Sequence, residues 1–315
     1  MAPFSTGSSM RRVVVVAGPT GVGKTALSIE VARAVGGEII SADAVAVYRH
    51  LDVGSAKPTA EERAQVPHHL VDAADPGEDY DAARFAREAG AAAEDILGRG
   101  RAVVLAGGTG LYIKAFLYGL IPEGESDPAL REALREEARQ LGVKALHERL
   151  SLLDPATAAR VHENDAYRIV RALEIMARTG RPVSASRGAH AFARPLWDAL
   201  FLHLNLERGE LYRRIEERVD RMMAEGLLEE VRDLLDRGYG PDLKSMRSIG
   251  YRHMADVILG RVGLNDAVAL LKRDTRRLAK RQNTWFRAVP GALRTDPGDA
   301  GAAVLLARRH FSQDR

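Results

Sequence analysis

The chain is expected to fold as an α/β protein, a parallel sheet with helices on both faces plus a helical insertion, and three features predict this. An apolar run, Val13-Val14-Val15-Val16-Ala17, enters a glycine-rich turn and then the helix-forming Ala26-Leu27-Ser28-Ile29-Glu30-Val31. Strand-like and helix-like segments then alternate as far as Leu105-Ala106, the order that builds parallel strands joined by crossover helices. From Pro122 to about Pro195 the strand signals stop and only helix signals continue.

The first turn, Gly18-Pro19-Thr20-Gly21-Val22-Gly23-Lys24-Thr25, carries the spacing Gly-x4-Gly-Lys-Thr between a strand and a helix. This is a P-loop-type phosphate cradle. Its glycines turn backbone N–H groups onto phosphate oxygens, Lys24 adds a point charge, and the Thr25 hydroxyl can hold Mg²⁺ at the helix N-terminus. A phosphate or diphosphate ester is therefore the expected substrate, and the motif alone leaves its identity open.

Strands follow at Glu38-Ile39-Ile40-Ser41 and Ala102-Val103-Val104-Leu105-Ala106, with helices over about 59–65 and 82–97 between them. Ligands of such sheets bind beyond the carboxyl ends of strands, which singles out Gly18 to Thr25, Ser41 to Asp43 and Gly107 to Gly110. In the insertion, Asp127-Pro128 and Asp154-Pro155 read as N-caps followed by proline at the first helical position, and Asn164 as the cap of a helix ending near Thr179-Gly180. Phe201-Leu202-His203-Leu204-Asn205-Leu206 reads as a strand returning to the sheet, followed by helices to about Val289. The expected division is a discontinuous core, 11–121 with 198–289, a helical insertion at 122–197, and a Gly- and Ala-rich tail from Pro290 with one short helical pattern.

With 315 residues, 46% hydrophobic and 28% charged, the chain can bury a sizeable core. The absence of cysteine excludes disulfides, thiolate zinc sites and a cysteine nucleophile. The segment before Arg11 lacks an apolar stretch, and no run of about 18 apolar residues occurs, so a cytoplasmic protein that does not cross a membrane is expected. Net charge is only +3, which leaves room for a local basic surface.

A P-loop NTP hydrolase needs a carboxylate at the end of a second buried strand to position Mg²⁺, yet the strand ending at Ala106 runs into Gly107-Gly108-Thr109-Gly110. The acid comes instead at Asp43, after Ile39-Ile40, where it serves either as a general base or as a loop anchor. Arg218 lies on the edge of an apolar stripe formed by Leu211, Ile215, Val219 and Met222, so it requires an anion, a structural carboxylate or a diphosphate. The last clear helix carries Lys272, Arg273, Arg276, Arg277, Lys280 and Arg281, with Leu271, Leu278 and Trp285 spaced as an apolar seam. Its basic side, with Gln282, Asn283 and Trp285, suits RNA or is a solvated face. Arg168, Arg171 and Arg178 add cations on one helix of the insertion. His68-His69, with no acid cluster nearby, reads as packing or hydrogen bonding in preference to a metal site.

These motifs in this order resemble the tRNA dimethylallyltransferase, or tRNA isopentenyltransferase, family of bacterial type. They include Gly18 to Thr25, Ile40-Ser41-Ala42-Asp43, Val47-Tyr48-Arg49, Asp52-Val53-Gly54-Ser55-Ala56-Lys57-Pro58, Pro67-His68-His69-Leu70 and Gly107-Gly108-Thr109-Gly110-Leu111-Tyr112. Downstream, Asn164-Asp165 with Arg168 to Glu174, Gly226 to Val231, Ile249-Gly250-Tyr251 and Ala279 to Phe286 continue it, so that about Val13 to Arg287 is covered.

The resemblance implies transfer of a dimethylallyl group from dimethylallyl diphosphate to N6 of an adenine beside the anticodon, in tRNAs reading codons that begin with U. Diphosphate leaves. It implies Asp43 as base, Thr109 as a contact to the reacting site, and Lys24, Thr25 with Mg²⁺, and Arg218 on the leaving group. It further implies contacts to the tRNA anticodon stem-loop from Asp43, Ala44, Val45, Ala46, Thr109, Arg131, Arg168, Arg171, Lys280, Arg281, Gln282 and Trp285. A monomer and a flipped-out adenine are expected with it.

One departure stands out. The family usually has serine after Asp43 and often glutamine two residues beyond, whereas this chain has Ala44-Val45-Ala46. Retained chemistry with altered tRNA preference is the expectation. Two rival classes stay open: a P-loop kinase or prenyltransferase acting on a small nucleotide, marked by activity on free AMP, and a non-catalytic RNA-binding switch, marked by tRNA binding without turnover.

Overall fold

A computed structural model describes residues 11–120, 127–185 and 195–312. The chain divides into two units, Met1–Tyr118 with Leu196–Arg315, and Gly119–Pro195. In the first unit the described residues contain one sheet of six strands: β1 (Arg12–Ala17), β2 (Gly37–Ala42), β3 (His68–His69), β4 (Ala102–Gly107), β5 (Asp198–Leu204) and β6 (Leu293–Thr295). They lie in the order β3-β2-β4-β1-β5-β6, and every pairing is parallel.

β1 is the central strand because Val13 to Val16 are all apolar and β-branched, and all four are fully buried. The pleat sends Val13 and Val15 into one cluster with Phe85, Tyr112 and Phe286. Val14 and Val16 enter a second cluster with Leu27, Leu202 and Ala303. Helices therefore cover both faces, among them α1 (Lys24–Val35), α2 (Ala60–Gln65), α3 (Ala82–Gly98) and α4 (Gly110–Tyr118).

The second unit has its own core of Leu134, Leu146, Leu150, Ile169 and Leu173. It is built from α5 (Pro128–Leu141), α6 (Val143–Leu153), α7 (Pro155–Ala158) and α8 (Ala166–Thr179). Asp127 and Asp154 cap α5 and α7 as the sequence predicts, accepting from the N–H groups of Leu130 and Thr157. The cap of α8 is Asp165, one residue beyond Asn164, its carboxylate accepting from Arg168 N at 3.1 Å. Pro122, the expected first residue of the insertion, lies outside the described residues.

After β5 come α9 (Arg208–Ala224), α10 (Leu227–Asp236), α11 (Tyr251–Ile258), α12 (Leu264–Arg287) and α13 (Ala300–Ser312). Two boundaries and one packing seam differ from expectation. Trp197 stacks on Phe116 with ring centroids 4.7 Å apart and so belongs to the first unit. The residues from Pro290 are no loose tail: β6 extends the sheet beside β5, and α13 buries Ala303 and Ala307 in the cluster of Leu27 and Val31. On α12 the buried seam is Ala267, Leu271, Ala279 and Phe286, while Leu278 and Trp285 are only half-buried.

Candidate active site

The carboxyl ends of β1, β2 and β4 meet at one place, because β4 is paired on one side with β1 and on the other with β2. Beyond β1 the cradle turns with Gly21 at φ 81° and Gly23 at φ 101°, left-handed conformations that favour glycine. Lys24 and Thr25 open α1. The Lys24 ammonium donates to Pro19 O at 2.8 Å. Burial pushes its pKa down to about 8, opposed by the Asp43 carboxylate and assisted by the Arg218 guanidinium.

Beyond β2, Asp43 Oδ1 accepts from Val45 N at 2.9 Å and Ala46 N at 3.2 Å. Both bonds use one oxygen, which fixes the carboxylate plane and leaves Oδ2 available to a reactant. The loop-anchor and the base readings of Asp43 are thus compatible, one oxygen for each. Beyond β4, the Thr109 hydroxyl oxygen accepts from Ala44 N at 3.0 Å, and Thr109 N donates to Ala42 O at 3.1 Å. The Thr109 O–H proton remains free to be donated.

Arg218, on α9, donates to Ser55 O at 3.2 Å. Its pKa is lowered by burial, and the Asp43 charge opposes that shift. Asp43 therefore acts electrostatically on both Lys24 and Arg218, which places a carboxylate and two cations in one cluster. A cavity of about 760 Å³ opens beside them, lined by Thr25, Asp52, Lys57, Arg218, Arg221 and Glu225 among others. The same wall includes His50, Ala56 and Asp72, non-glycine residues at φ 65°, 44° and 58°. Such backbone strain persists only where neighbours hold it.

Those neighbours were not visible as roles in the sequence. Lys57, with 5% of its side chain exposed, donates to Tyr48 O at 2.9 Å and pairs with Asp52 at 2.7 Å and with Asp72. Glu230 accepts from the N–H groups of Asp52, Val53 and Gly54 at 3.1, 2.7 and 3.2 Å and from the Tyr251 hydroxyl. The only signal for either was motif resemblance, since the partners lie up to 178 residues apart. His69 bonds Glu38 and His68 Nδ1 bonds Val66 O, both at 2.8 Å, so neither needs a metal to explain it.

Among the RNA candidates, Lys280 and Arg281 are exposed on α12, and Arg168 on α8 has 67% of its side chain exposed. Arg131 and Arg171 are placed differently. Both pair with Glu174, a carboxylate with 0% side-chain exposure, at 2.9 and 3.0 Å. Gln282 is turned inward with both polar atoms of its amide bonded to protein. Trp285 packs against Gly110, where a Cβ would lie 2.6 Å from the indole ring.

A glycine-rich turn after β1, a carboxylate fixed through one oxygen after β2, and two buried cations that donate to carbonyls are the features that the comparisons with known proteins bear on. Residues 46–289 match the family described as IPP transferase. The chain is 58% identical over 282 residues to the tRNA dimethylallyltransferase of Desulfatibacillum aliphaticivorans, covering 90% of this chain and 92% of that protein. The crystal structure of tRNA isopentenylpyrophosphate transferase from Bacillus halodurans is similar with TM-score 0.72 and 38% identity, covering 96% of this chain and 97% of that one. A eukaryotic dimethylallyltransferase captured acting on tRNA is similar with TM-score 0.84 and 28% identity, covering 98% and 81%. The chain belongs to the IPP transferase family and is a prenyltransferase acting on tRNA.

Proposed function

We propose that this chain transfers a dimethylallyl group from dimethylallyl diphosphate to N6 of the adenosine at position 37 of tRNAs reading codons that begin with U. The observation that carries this reading is the convergence of Asp43, Lys24 and Arg218, in which each cation donates to a carbonyl and keeps its charge for an incoming anion. The adenine enters unstacked, its amine being otherwise shielded from a site this recessed. Thr109 donates its hydroxyl proton to the base, and Asp43 Oδ2 takes the N6 proton as nitrogen bonds the allylic carbon. As the C–O bond breaks, charge grows on the diphosphate, where Lys24, Arg218 and the N–H groups of Gly21 to Thr25 are already in place.

The Thr25 hydroxyl would hold Mg²⁺. Among the described residues no group of three acidic or histidine side chains could bind a metal. One hydroxyl at the cradle fits an ion that arrives with phosphate oxygens and keeps its waters. When bound, it neutralises charge on the diphosphate. The anticodon stem-loop is contacted by Arg168 of the second unit and, separately, by Lys280 and Arg281 of α12. Action as a cytoplasmic monomer completes the reading; no described helix is long and apolar enough to cross a membrane.

The test is transfer of labelled dimethylallyl from its diphosphate to unmodified tRNA with Mg²⁺. The parent labels tRNA, and Asp43→Ala lowers kcat by about 10²- to 10⁴-fold. Absence of label with the parent despite tight tRNA binding would replace this reading with a non-catalytic one.

A further inference from the structure

Gln282 lies on the most cationic stretch of α12, yet its side chain faces the protein. Its Oε1 accepts from Thr20 N at 2.9 Å, and its Nε2 donates to Gly108 O at 3.0 Å. Thr20 sits inside the phosphate cradle, and Gly108 directly precedes Thr109. One carboxamide thus ties the loop after β1 to the loop after β4, from a helix that follows them by 262 and 174 residues. A carboxamide offers a donor and an acceptor on one planar group, whatever the pH. The fit is close: a Cβ on Gly108 would lie 2.5 Å from Gln282 Nε2. One turn on, Trp285 packs over Gly110, so the inward face of α12 is docked along this loop. Lys280 and Arg281, on the same turn as Gln282, are exposed.

We propose that Gln282 is a positioning residue that couples RNA bound on the outer face of α12 to the phosphate cradle. This rests on the reading of α12 as an RNA surface. RNA phosphates on Lys280 and Arg281 restrain the turn that carries Gln282. That turn in turn restrains Thr20 and Gly108, so a diphosphate binding second loses less conformational freedom. Coupling of this kind is reciprocal: diphosphate tightens RNA by the same factor.

The experiment measures binding of inorganic diphosphate with Mg²⁺ to the full chain by calorimetry, with and without saturating unmodified tRNA. The parent is expected to bind diphosphate about fivefold or more tightly when tRNA is present. Gln282→Leu brings that factor below about twofold and leaves the Kd for tRNA within about twofold of the parent, since both polar atoms of the side chain are bonded within the protein. Gln282→Glu keeps the acceptor for Thr20 but sets a carboxylate against Gly108 O. It shows the same loss of coupling, and it carries the test if Gln282→Leu does not fold. Equal diphosphate affinity with and without tRNA in the parent overturns the proposal. So does a tenfold loss of tRNA affinity in either variant with the coupling intact, which makes Gln282 an RNA contact. Labelled transfer by the parent is measured alongside, and its failure would sink the transferase reading without changing what the diphosphate titrations report.

Discussion

Lys24 and Arg218 in the first unit and Arg131 and Arg171 in the second are all cations carried on helices, and they have opposite fates. The first two donate to the carbonyls of Pro19 and Ser55, neutral acceptors that orient a charge without cancelling it. The second two converge on Glu174, whose carboxylate is fully buried. One buried carboxylate shared by two guanidinium groups cancels part of their charge and ties two helices together, whereas a buried cation facing carbonyls is held at a cost that an anionic ligand repays. The partner, not the residue type, separates a binding site from a strut.

Breaking each side of this contrast gives the two largest effects. Lys24→Met removes a cation from the position where leaving-group charge develops. It should lower kcat/KM for dimethylallyl diphosphate by about 10²- to 10³-fold. Its unfolding midpoint in urea should be equal to or above that of the parent, because a desolvated charge is gone. Glu174→Gln removes the buried negative charge that Arg131 and Arg171 share and should destabilise the second unit by about 3 kcal/mol. That loss is to be read by limited proteolysis and thermal melting, and an unchanged melt would show that Glu174 is no strut.

Titration sharpens the contrast without mutation. Lys24 has its pKa lowered to about 8 from the usual lysine range, so in the free enzyme it is charged below that pH and neutral above it. The kcat/KM for dimethylallyl diphosphate should therefore fall above about pH 8, approaching tenfold per pH unit. The stability contribution has the opposite sign. From about pH 8 to 10.4 the unfolded chain still holds the lysine proton and the folded chain does not, so this group adds stability as pH rises through that window. Activity and stability that decline together above pH 8 would show that Lys24 is not the group being titrated.

The fold was legible where the signal was local. Four consecutive valines before a glycine-rich turn specify the central strand and the turn after it, and the rule that ligands lie beyond strand ends singled out Gly107 to Gly110, where Thr109 accepts from Ala44 N. What escaped the sequence was long-range. β6 has three residues, too few for a period to show, and becomes a strand only by pairing with β5. The anchoring of residues 52–54 by Glu230, and of Thr20 and Gly108 by Gln282, joins segments with no shared pattern. Arg131 is a tRNA candidate through the resemblance alone, and Gln282 through the resemblance and its place beside Lys280 and Arg281; neither signal reports which partners within the protein the side chain already has.

The smallest effect expected comes from the departure at Ala44-Val45-Ala46. Chemistry does not need side chains here: Ala44 contributes its N–H to Thr109, and Val45 and Ala46 contribute theirs to Asp43, all through backbone. Ala44 is half-buried at the rim of the site, while Ala46 is 3% exposed. A hydroxyl at position 44 is thus accommodated more readily than a long amide at position 46. Ala44→Ser should leave kcat on the best tRNA within about twofold. One added hydrogen bond, worth about 0.5–1.5 kcal/mol, should shift relative kcat/KM among anticodon-loop variants by roughly two- to tenfold. The measurement is a competition between tRNAs differing at the bases flanking the target adenosine. Identical selectivity in parent and Ala44→Ser throughout would mean that those bases are read by backbone and shape alone, and that the alanines at 44 and 46 do not set the choice of tRNA.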